Sequence, residues 1–171
     1  MKKRLVPVIL ALLAVLLAAY LIVPNWILAK PREALIEQVR TQLQTDWKSS
    51  GVSFAGEYAE NSEAFLWFMI DAQNETYYRL ARCRLLNNSR YRLQEIWIPS
   101  VYCTDIVYFM DVFLINNPDC HEIVVKGSNS GQIIRKDLTP DDLPYVYCSA
   151  PPFHSGSIGF YDAAGEEMQG R

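Results

Sequence analysis

The first thirty residues constrain the chain more than any other segment. Met1 is followed by three basic residues, and the nineteen residues from Leu5 to Val23 contain no charged side chain. Thirteen of these nineteen are Leu, Ile or Val. Because a helix rises about 1.5 Å per residue, such a segment crosses most of a hydrocarbon core about 30 Å thick. We therefore expect a cytoplasmic tail at residues 1–4 and a transmembrane signal-anchor at residues 5–29.

The flanking residues indicate whether this segment is kept and how it is oriented. A cleaved signal peptide has an apolar region of about 7–15 residues and then a small-x-small site. Here the apolar run is longer, and Leu17 and Ile27 stand at the minus-three positions of cleavage after Ala19 and Ala29. Three basic residues, Lys2, Lys3 and Arg4, precede the segment, whereas two, Lys30 and Arg32, follow it. The end with more basic residues stays on the cytoplasmic side. The sequence thus favours a single-pass cell-membrane protein with its N-terminus inside; a secreted domain released by cleavage stays an alternative.

Residues 31–171 form a single extracytoplasmic α+β domain in this interpretation, since about 140 residues suffice for one hydrophobic core. The chain has 16 basic and 19 acidic residues, and three of the basic ones precede the anchor. The exported part then has 13 against 19, a net charge of −6. An acidic domain is a poor binder of nucleic acid. The partner that the sequence does predict is the lipid bilayer, through residues 5–29.

Four cysteines lie in the exported part: Cys83, Cys103, Cys120 and Cys148. An even number of cysteines in an oxidising compartment indicates two disulfides. Three pairings exist, and the sequence slightly favours the sequential one, Cys83 with Cys103 and Cys120 with Cys148. No C-x-x-C pair is present, and four adjacent residues at Asp119–Glu122 cannot all face one ion. We therefore expect no metal site.

The hydrophobic periodicity predicts one amphipathic helix packed on a mostly antiparallel, meandering β-sheet. Apolar residues recur every four positions between residues 31 and 49, which is typical of a helix with one buried side. After Gly51 the period shifts towards two and short turn sequences separate the apolar runs, which favours antiparallel strands. The expected strands are Val52–Tyr58, Ala64–Ile70, Tyr77–Leu86, Arg92–Ile98, Ile106–Ile115, Ile123–Lys126, Gln132–Lys136, Pro144–Cys148 and Ser157–Tyr161.

The densest cationic feature is a group of five arginines within fourteen residues, in a stretch from Thr76 to Gln94 that contains no acid. Side chains alternate along a strand, so Arg82 and Arg84 share one side of the predicted hairpin, and Arg90 and Arg92 share a side as well. Converging guanidinium groups bind phosphate or carboxylate groups well. The alternative is a solvated surface neutralised by the domain's own glutamates, Glu57, Glu60, Glu63 or Glu75. The five candidates are Arg79, Arg82, Arg84, Arg90 and Arg92.

Catalytic motifs are scarce. A G-x-S-x-G nucleophile elbow around Ser157 requires glycine at position 155, where this chain has Ser155. The chain has two histidines, His121 and His154, which leaves few candidates for a general base. No dinucleotide, phosphate-loop or zinc-protease motif occurs, so the sequence predicts no cofactor.

These observations favour a membrane-anchored extracytoplasmic binding or structural module over an enzyme. Its expected contacts are an anionic surface, an anionic polymer or an acidic partner protein, held by the arginine hairpin. A membrane-anchored hydrolase that uses His154 with Ser155 or Ser157 is the alternative. Small α+β domains serve both purposes, so the fold class alone does not decide between them.

Overall fold

The computed structural model describes residues 29–86, 89–127, 131–148 and 155–169. Within these ranges the fold is α+β, with one α-helix and twelve strands in three antiparallel sheets. The elements are β1 (Lys30–Pro31), α1 (Arg32–Trp47), β2 (Gly51–Glu60), β3 (Glu63–Ala72), β4 (Glu75–Leu86), β5 (Arg90–Trp97), β6 (Ser100–Cys103), β7 (Ile106–Phe109), β8 (Val112–Ile115), β9 (Glu122–Gly127), β10 (Ile133–Asp137), a 3-10 turn (Pro140–Asp142), β11 (Tyr145–Cys148) and β12 (Ser155–Tyr161).

The predicted cytoplasmic tail and all but the last residue of the predicted anchor lie outside the described residues. Among the residues that are described, no helix combines the length and the apolar character needed to cross a membrane.

Helix α1 confirms the predicted amphipathic helix, with ends at Arg32 and Trp47 in place of the expected 31–49. It ends where Lys48 adopts a left-handed conformation (φ 51°) and its N–H donates to the Gln44 carbonyl. The helix packs its apolar side on the first sheet, whose strand order is β1-β5-β4-β3-β2. The buried residues of the helix are Leu35, Ile36, Val39 and Leu43.

Strand β3 lies inside the first sheet and is apolar on both sides. Leu66 and Phe68 point towards the helix, whereas Phe65 and Trp67 point to the opposite side of the sheet. The wholly apolar sequence at 64–70 is compatible with a buried helix or a buried strand. The structure has a strand there, because layers of apolar side chains cover it from both sides.

The second sheet, in the order β11-β8-β7-β6, supplies the layer opposite the helix. Its inner residues include Val107, Val112 and Leu114, which pack against Trp67. The prediction of one long strand at residues 106–115 is wrong. The long strand predicted at Ile106–Ile115 is a hairpin of two four-residue strands, because Met110 turns the chain with φ 54°.

The third sheet, in the order β10-β9-β12, packs on the outer side of the second. Ile123 and Phe160 of this sheet share a buried cluster with Ile106 and Ile115. The expected antiparallel strands are therefore divided among three sheets. From one side of the molecule to the other, the order of layers is helix, first sheet, second sheet and third sheet.

Strand pairing and hydrogen bonds attach the first described residues of the chain to the first sheet. Strand β1 pairs with β5, and the Arg90 guanidinium donates two hydrogen bonds, of 2.5 and 3.1 Å, to the Ala29 carbonyl. Three residues further along the chain, the Arg32 guanidinium forms an ion pair with Glu57 of β2. The other carboxylate oxygen of Glu57 accepts from the Tyr91 hydroxyl at 3.0 Å. The chain that enters the domain at residue 29 is thus held against the arginine-rich strand.

The close packing of the first and second sheets at Gly56 yields a stability prediction. Gly56 forms a bulge in β2 with φ 151°, and a Cβ at this position lies 2.6 Å from Cγ2 of Val146. Gly56→Ala is expected to lower the free energy of unfolding by about 2–4 kcal/mol, through backbone strain and overpacking together. Urea unfolding of the purified chain measures the loss.

Gly165→Ala is the matched control, because Gly165 has φ 80° but open space where the added methyl group would lie. It carries the backbone strain without the clash and is expected to cost about 1–2 kcal/mol. Adding Val146→Ala to Gly56→Ala restores part of the lost stability. Equal losses for the two glycine variants contradict this account of the packing.

Candidate anion-binding face

The predicted hairpin of β4 and β5 presents a charged surface on the side of the first sheet opposite the helix. Five residues make up this surface, which we call the arginine face: Glu63, Arg82, Arg84, Arg92 and Glu95. Alternation along the strands places them there, because Ala81, Cys83 and Leu93 between them point into the cluster under the helix. A bulge at Gln94 keeps Glu95 opposite Arg82.

The arginine face begins where the second sheet ends. Phe109 of β7 contacts Phe65 of β3 with ring centroids 5.9 Å apart, and Trp97 of β5 with centroids 4.8 Å apart. These three rings form the border between the covered and the exposed part of the sheet. Next to them Met110 is 72% exposed, so an apolar side chain flanks the charged surface.

Arg82 is neutralised by the domain itself. Its guanidinium lies 2.5 Å from a carboxylate oxygen of Glu63 and 3.4 Å from one of Glu95. The hydrogen bond to Glu63 raises the pKa of Arg82 above its ordinary value. This is the arrangement expected of a solvated, internally paired surface, and it removes Arg82 from the predicted anion site.

Arg84 and Arg92 are arranged differently. They stand directly opposite each other on β4 and β5, with Arg84 exposed and Arg92 half-buried. Directly opposite Cβ atoms in an antiparallel pair are about 4.5–5.5 Å apart, and like charges at such positions are destabilising. Of the five predicted arginines, Arg84 and Arg92 are the two that stand directly opposite each other.

Arg79 lies on the other side of the sheet, next to the helix. Its guanidinium stacks over the Trp47 ring at 4.6 Å and donates to the Tyr78 carbonyl at 2.6 Å. Burial lowers the pKa of Arg79. Arg79 therefore stabilises the packing of the end of α1 and takes no part in the arginine face.

Arg90 is also engaged in the fold. The two hydrogen bonds to Ala29 direct its guanidinium to the chain that enters the domain. Arg79, Arg82 and Arg90 thus contact other groups of the domain, and Arg84 and Arg92 stand opposite each other on β4 and β5.

Of the four glutamates expected to neutralise the hairpin arginines, one does so in the structure. Glu63 does neutralise an arginine of the hairpin, as the alternative interpretation expected. Glu57, Glu60 and Glu75 instead contact Arg32, Tyr58 and Tyr77. The second acid on the arginine face, Glu95, was missed because it depends on the register across β4 and β5. Cross-strand register is not encoded in the spacing of charges along one strand.

A cavity of about 320 Å³ lies next to the arginine face. It is bounded by acidic and apolar side chains together with one thiol: Glu60, Asn61, Glu63, Phe65, Met110, Asp111, Val112 and Cys148. The Tyr58 hydroxyl donates to Glu60 at 2.7 Å, and a hydrogen bond with Cys148 raises the pKa of Tyr58. The acidic side chains that line the cavity do not favour an anion. The cavity is therefore not part of the arginine pair's candidate site.

All four cysteines are thiols in the structure. Cys83 belongs to the cluster between the helix and the first sheet, and Cys148 packs between the first and second sheets. Cys103 and Cys120 are buried together between the second and third sheets. The sequentially paired residues Cys83 and Cys103 therefore lie in different layers.

The residues of the alternative hydrolase are not assembled among the described residues. His154 lies outside them, as does the side chain of Ser155. Ser157 is exposed on β12, opposite Lys126. His121 precedes β9 at the other end of the same strand pair, five residues from Lys126 and therefore about 17 Å away along the strand at 3.3 Å per residue.

Comparison with known proteins adds no further assignment: the chain matches no family model, no curated protein and no solved structure. The described ranges also contain no group of three or more His, Cys, Asp or Glu side chains arranged to hold a metal ion.

The different settings of Arg82 and Arg84 lead to opposite expectations for stability. Arg84→Gln removes one of two like charges at directly opposite strand positions and is expected to raise the free energy of unfolding by about 0.2–1 kcal/mol at low salt. Arg82→Gln leaves Glu63 and Glu95 without their shared partner and is expected to lower it. Urea unfolding of both variants at low and high salt measures the two changes, which shrink as salt screens the charges. A clear loss of stability in Arg84→Gln shows that Arg84 serves the fold.

Proposed function

We propose that the chain is a membrane-anchored extracytoplasmic binding module that holds anionic groups between Arg84 and Arg92. The observation that carries the proposal is the direct opposition of these two side chains on β4 and β5. Like charges at directly opposite positions of an antiparallel strand pair are destabilising. An anionic ligand turns this cost into a favourable, charge-assisted interaction.

The position of the arginine face relative to the predicted anchor supports a ligand at the membrane surface. The predicted anchor ends at residue 29, and β1 pairs with β5 directly after it. Arg92 lies two residues beyond Arg90, the side chain that holds the Ala29 carbonyl. Two residues of a strand cover about 7 Å, so the arginine pair lies near the point where the chain leaves the anchor.

Charge distribution favours the same surface. The exported part of the chain has a net charge of −6, so an anionic membrane repels most of it. On the arginine face three arginines stand against two glutamates, which gives a local excess of positive charge. Anionic headgroups are therefore expected to meet this face in preference to the rest of the domain.

No described residue favours the hydrolase alternative in the same way. Ser157 is exposed on β12, and His154, the base of that alternative, lies outside the described residues. General-base catalysis requires the two groups within about 2.6–3.2 Å of each other, directly or through one water. We therefore propose the binding module alone.

Vesicle binding tests the proposal. A chain without residues 1–28 keeps the Ala29 carbonyl and β1, and its cooperative thermal unfolding verifies that it folds. We expect it to bind vesicles that contain phosphatidylglycerol and not vesicles of phosphatidylcholine alone, with an affinity that falls steeply as salt increases. Each arginine near an anionic surface contributes about 1 kcal/mol, so Arg84→Gln with Arg92→Gln is expected to weaken binding about 30-fold.

The matched control is Lys126→Gln with Arg135→Gln, which makes the same change of net charge on exposed positions of the third sheet. It is expected to bind like the unchanged chain. Equal losses in the two double variants indicate a response to net charge alone. Such a result, or binding that does not depend on Arg84 and Arg92, contradicts the proposed site.

A further inference from the structure

The layered arrangement restricts which cysteines can pair. Cys83 points from β4 into the cluster under the helix, and Cys148 lies on the opposite side of the first sheet. A bond between these two residues passes through the sheet. Cys103 and Cys120 lie one layer further away, on the outer side of the second sheet. Cys83 and Cys148 are thus separated by a sheet from each other and from the other two.

Hydrogen bonds hold the segments of Cys103 and Cys120 side by side. The Thr104 carbonyl, directly after Cys103, accepts from the Asn117 side chain at 2.8 Å. The Asn117 carbonyl accepts from the Cys120 N–H at 3.1 Å. A further hydrogen bond, from the Asn116 N–H to the Asp105 carbonyl at 2.8 Å, joins the same two segments. Both cysteines then point into one cluster, where they are 6% and 2% exposed.

We infer that Cys103 and Cys120 form a disulfide between the second and third sheets, and that Cys83 and Cys148 stay thiols. The bond joins the end of β6 to the loop that enters β9. It selects a pairing that the sequence leaves open and replaces the two predicted bridges by one.

The reaction needs an oxidant from outside the chain, and a small-molecule disulfide such as oxidised glutathione is sufficient. The Cys103 and Cys120 sulfurs each lose a proton and bond to each other. The two electrons and two protons reduce one molecule of oxidised glutathione to two thiols.

The bond forms during folding, before the layers close. Burial, with the nearby Cys103 sulfur, raises the pKa of Cys120 to about 11, and burial also raises the pKa of Cys103. Because the thiolate is the reactive form, the two groups react slowly once they are buried. Refolding in a glutathione buffer is therefore the relevant condition.

Peptide mapping tests the pairing with the full chain in detergent. No Lys or Arg lies between residues 93 and 125, so trypsin leaves Cys103 and Cys120 on one peptide. Cyanogen bromide cleaves after Met110 and separates them into residues 93–110 and 111–126. The chain is refolded with oxidised and reduced glutathione, free thiols are alkylated in urea without reductant, and both cleavages are applied before mass spectrometry.

We expect one species in which residues 93–110 and 111–126 are linked, two hydrogen masses below their sum, with Cys83 and Cys148 alkylated. Cys83→Ser with Cys148→Ser is expected to keep the link, and a sample oxidised in urea is expected to contain several pairings. Four alkylated cysteines after refolding, or a bridge that includes Cys83 or Cys148, overturn the inference. The result is independent of the proposed anion site, which does not involve these residues.

Discussion

The burial of β3 on both sides is the constraint on which the rest of the fold depends. Between Ala64 and Ile70 this strand has no polar side chain, and Trp67 is fully buried. Each large apolar side chain that is removed from water contributes about 1.5–3 kcal/mol. A strand of this kind requires a cover on each side. Helix α1 supplies one cover and the second sheet the other, and the second sheet then requires the third to bury Ile106 and Ile115.

The same constraint explains why part of the first sheet stays exposed. The second sheet covers β3 and the ends of β4 and β5 near Leu80 and Trp97, with Phe109 at its border. Beyond that border the outward positions of β4 and β5 are charged. Their apolar neighbours still point to the helix, so these strands need a cover on one side only. The arginine face is therefore a consequence of strands that alternate apolar and charged residues at the edge of a two-sided core.

Periodicity predicted the local elements well because burial acts on side chains within one element. The helix was found within two residues of its observed ends, and the strands from β2 to β5 were recognised. The strand prediction was wrong where one apolar run of the sequence contains two strands, β7 and β8. The turn at Met110 and Asp111 contains neither glycine nor asparagine, so the apolar run Ile106–Ile115 had no signal of interruption. Strand β6 is short and follows Pro99, and it was not predicted.

The candidate site was harder to predict because it depends on contacts between strands. The sequence identified the arginines, but their roles differ according to what stands opposite each one. Arg82 meets Glu63 and Glu95, whereas Arg84 meets Arg92. Leu80 points away from the helix, so its neighbour Arg79 points towards the helix, where it stacks over Trp47. A one-residue change of register moves a side chain to the other side of a sheet, so small errors there change the composition of the site completely.

The most direct test of the anion site is a nuclear magnetic resonance titration that observes each arginine side chain separately. A short-chain phosphatidylglycerol, added below its micelle concentration to the isotope-labelled domain, supplies the anionic headgroup without a membrane. We expect saturable shifts of the Nε–H signals of Arg84 and Arg92, with Arg79 unchanged on the other side of the sheet. Shifts of equal size at all arginines, or the absence of saturation at Arg84 and Arg92, contradict it.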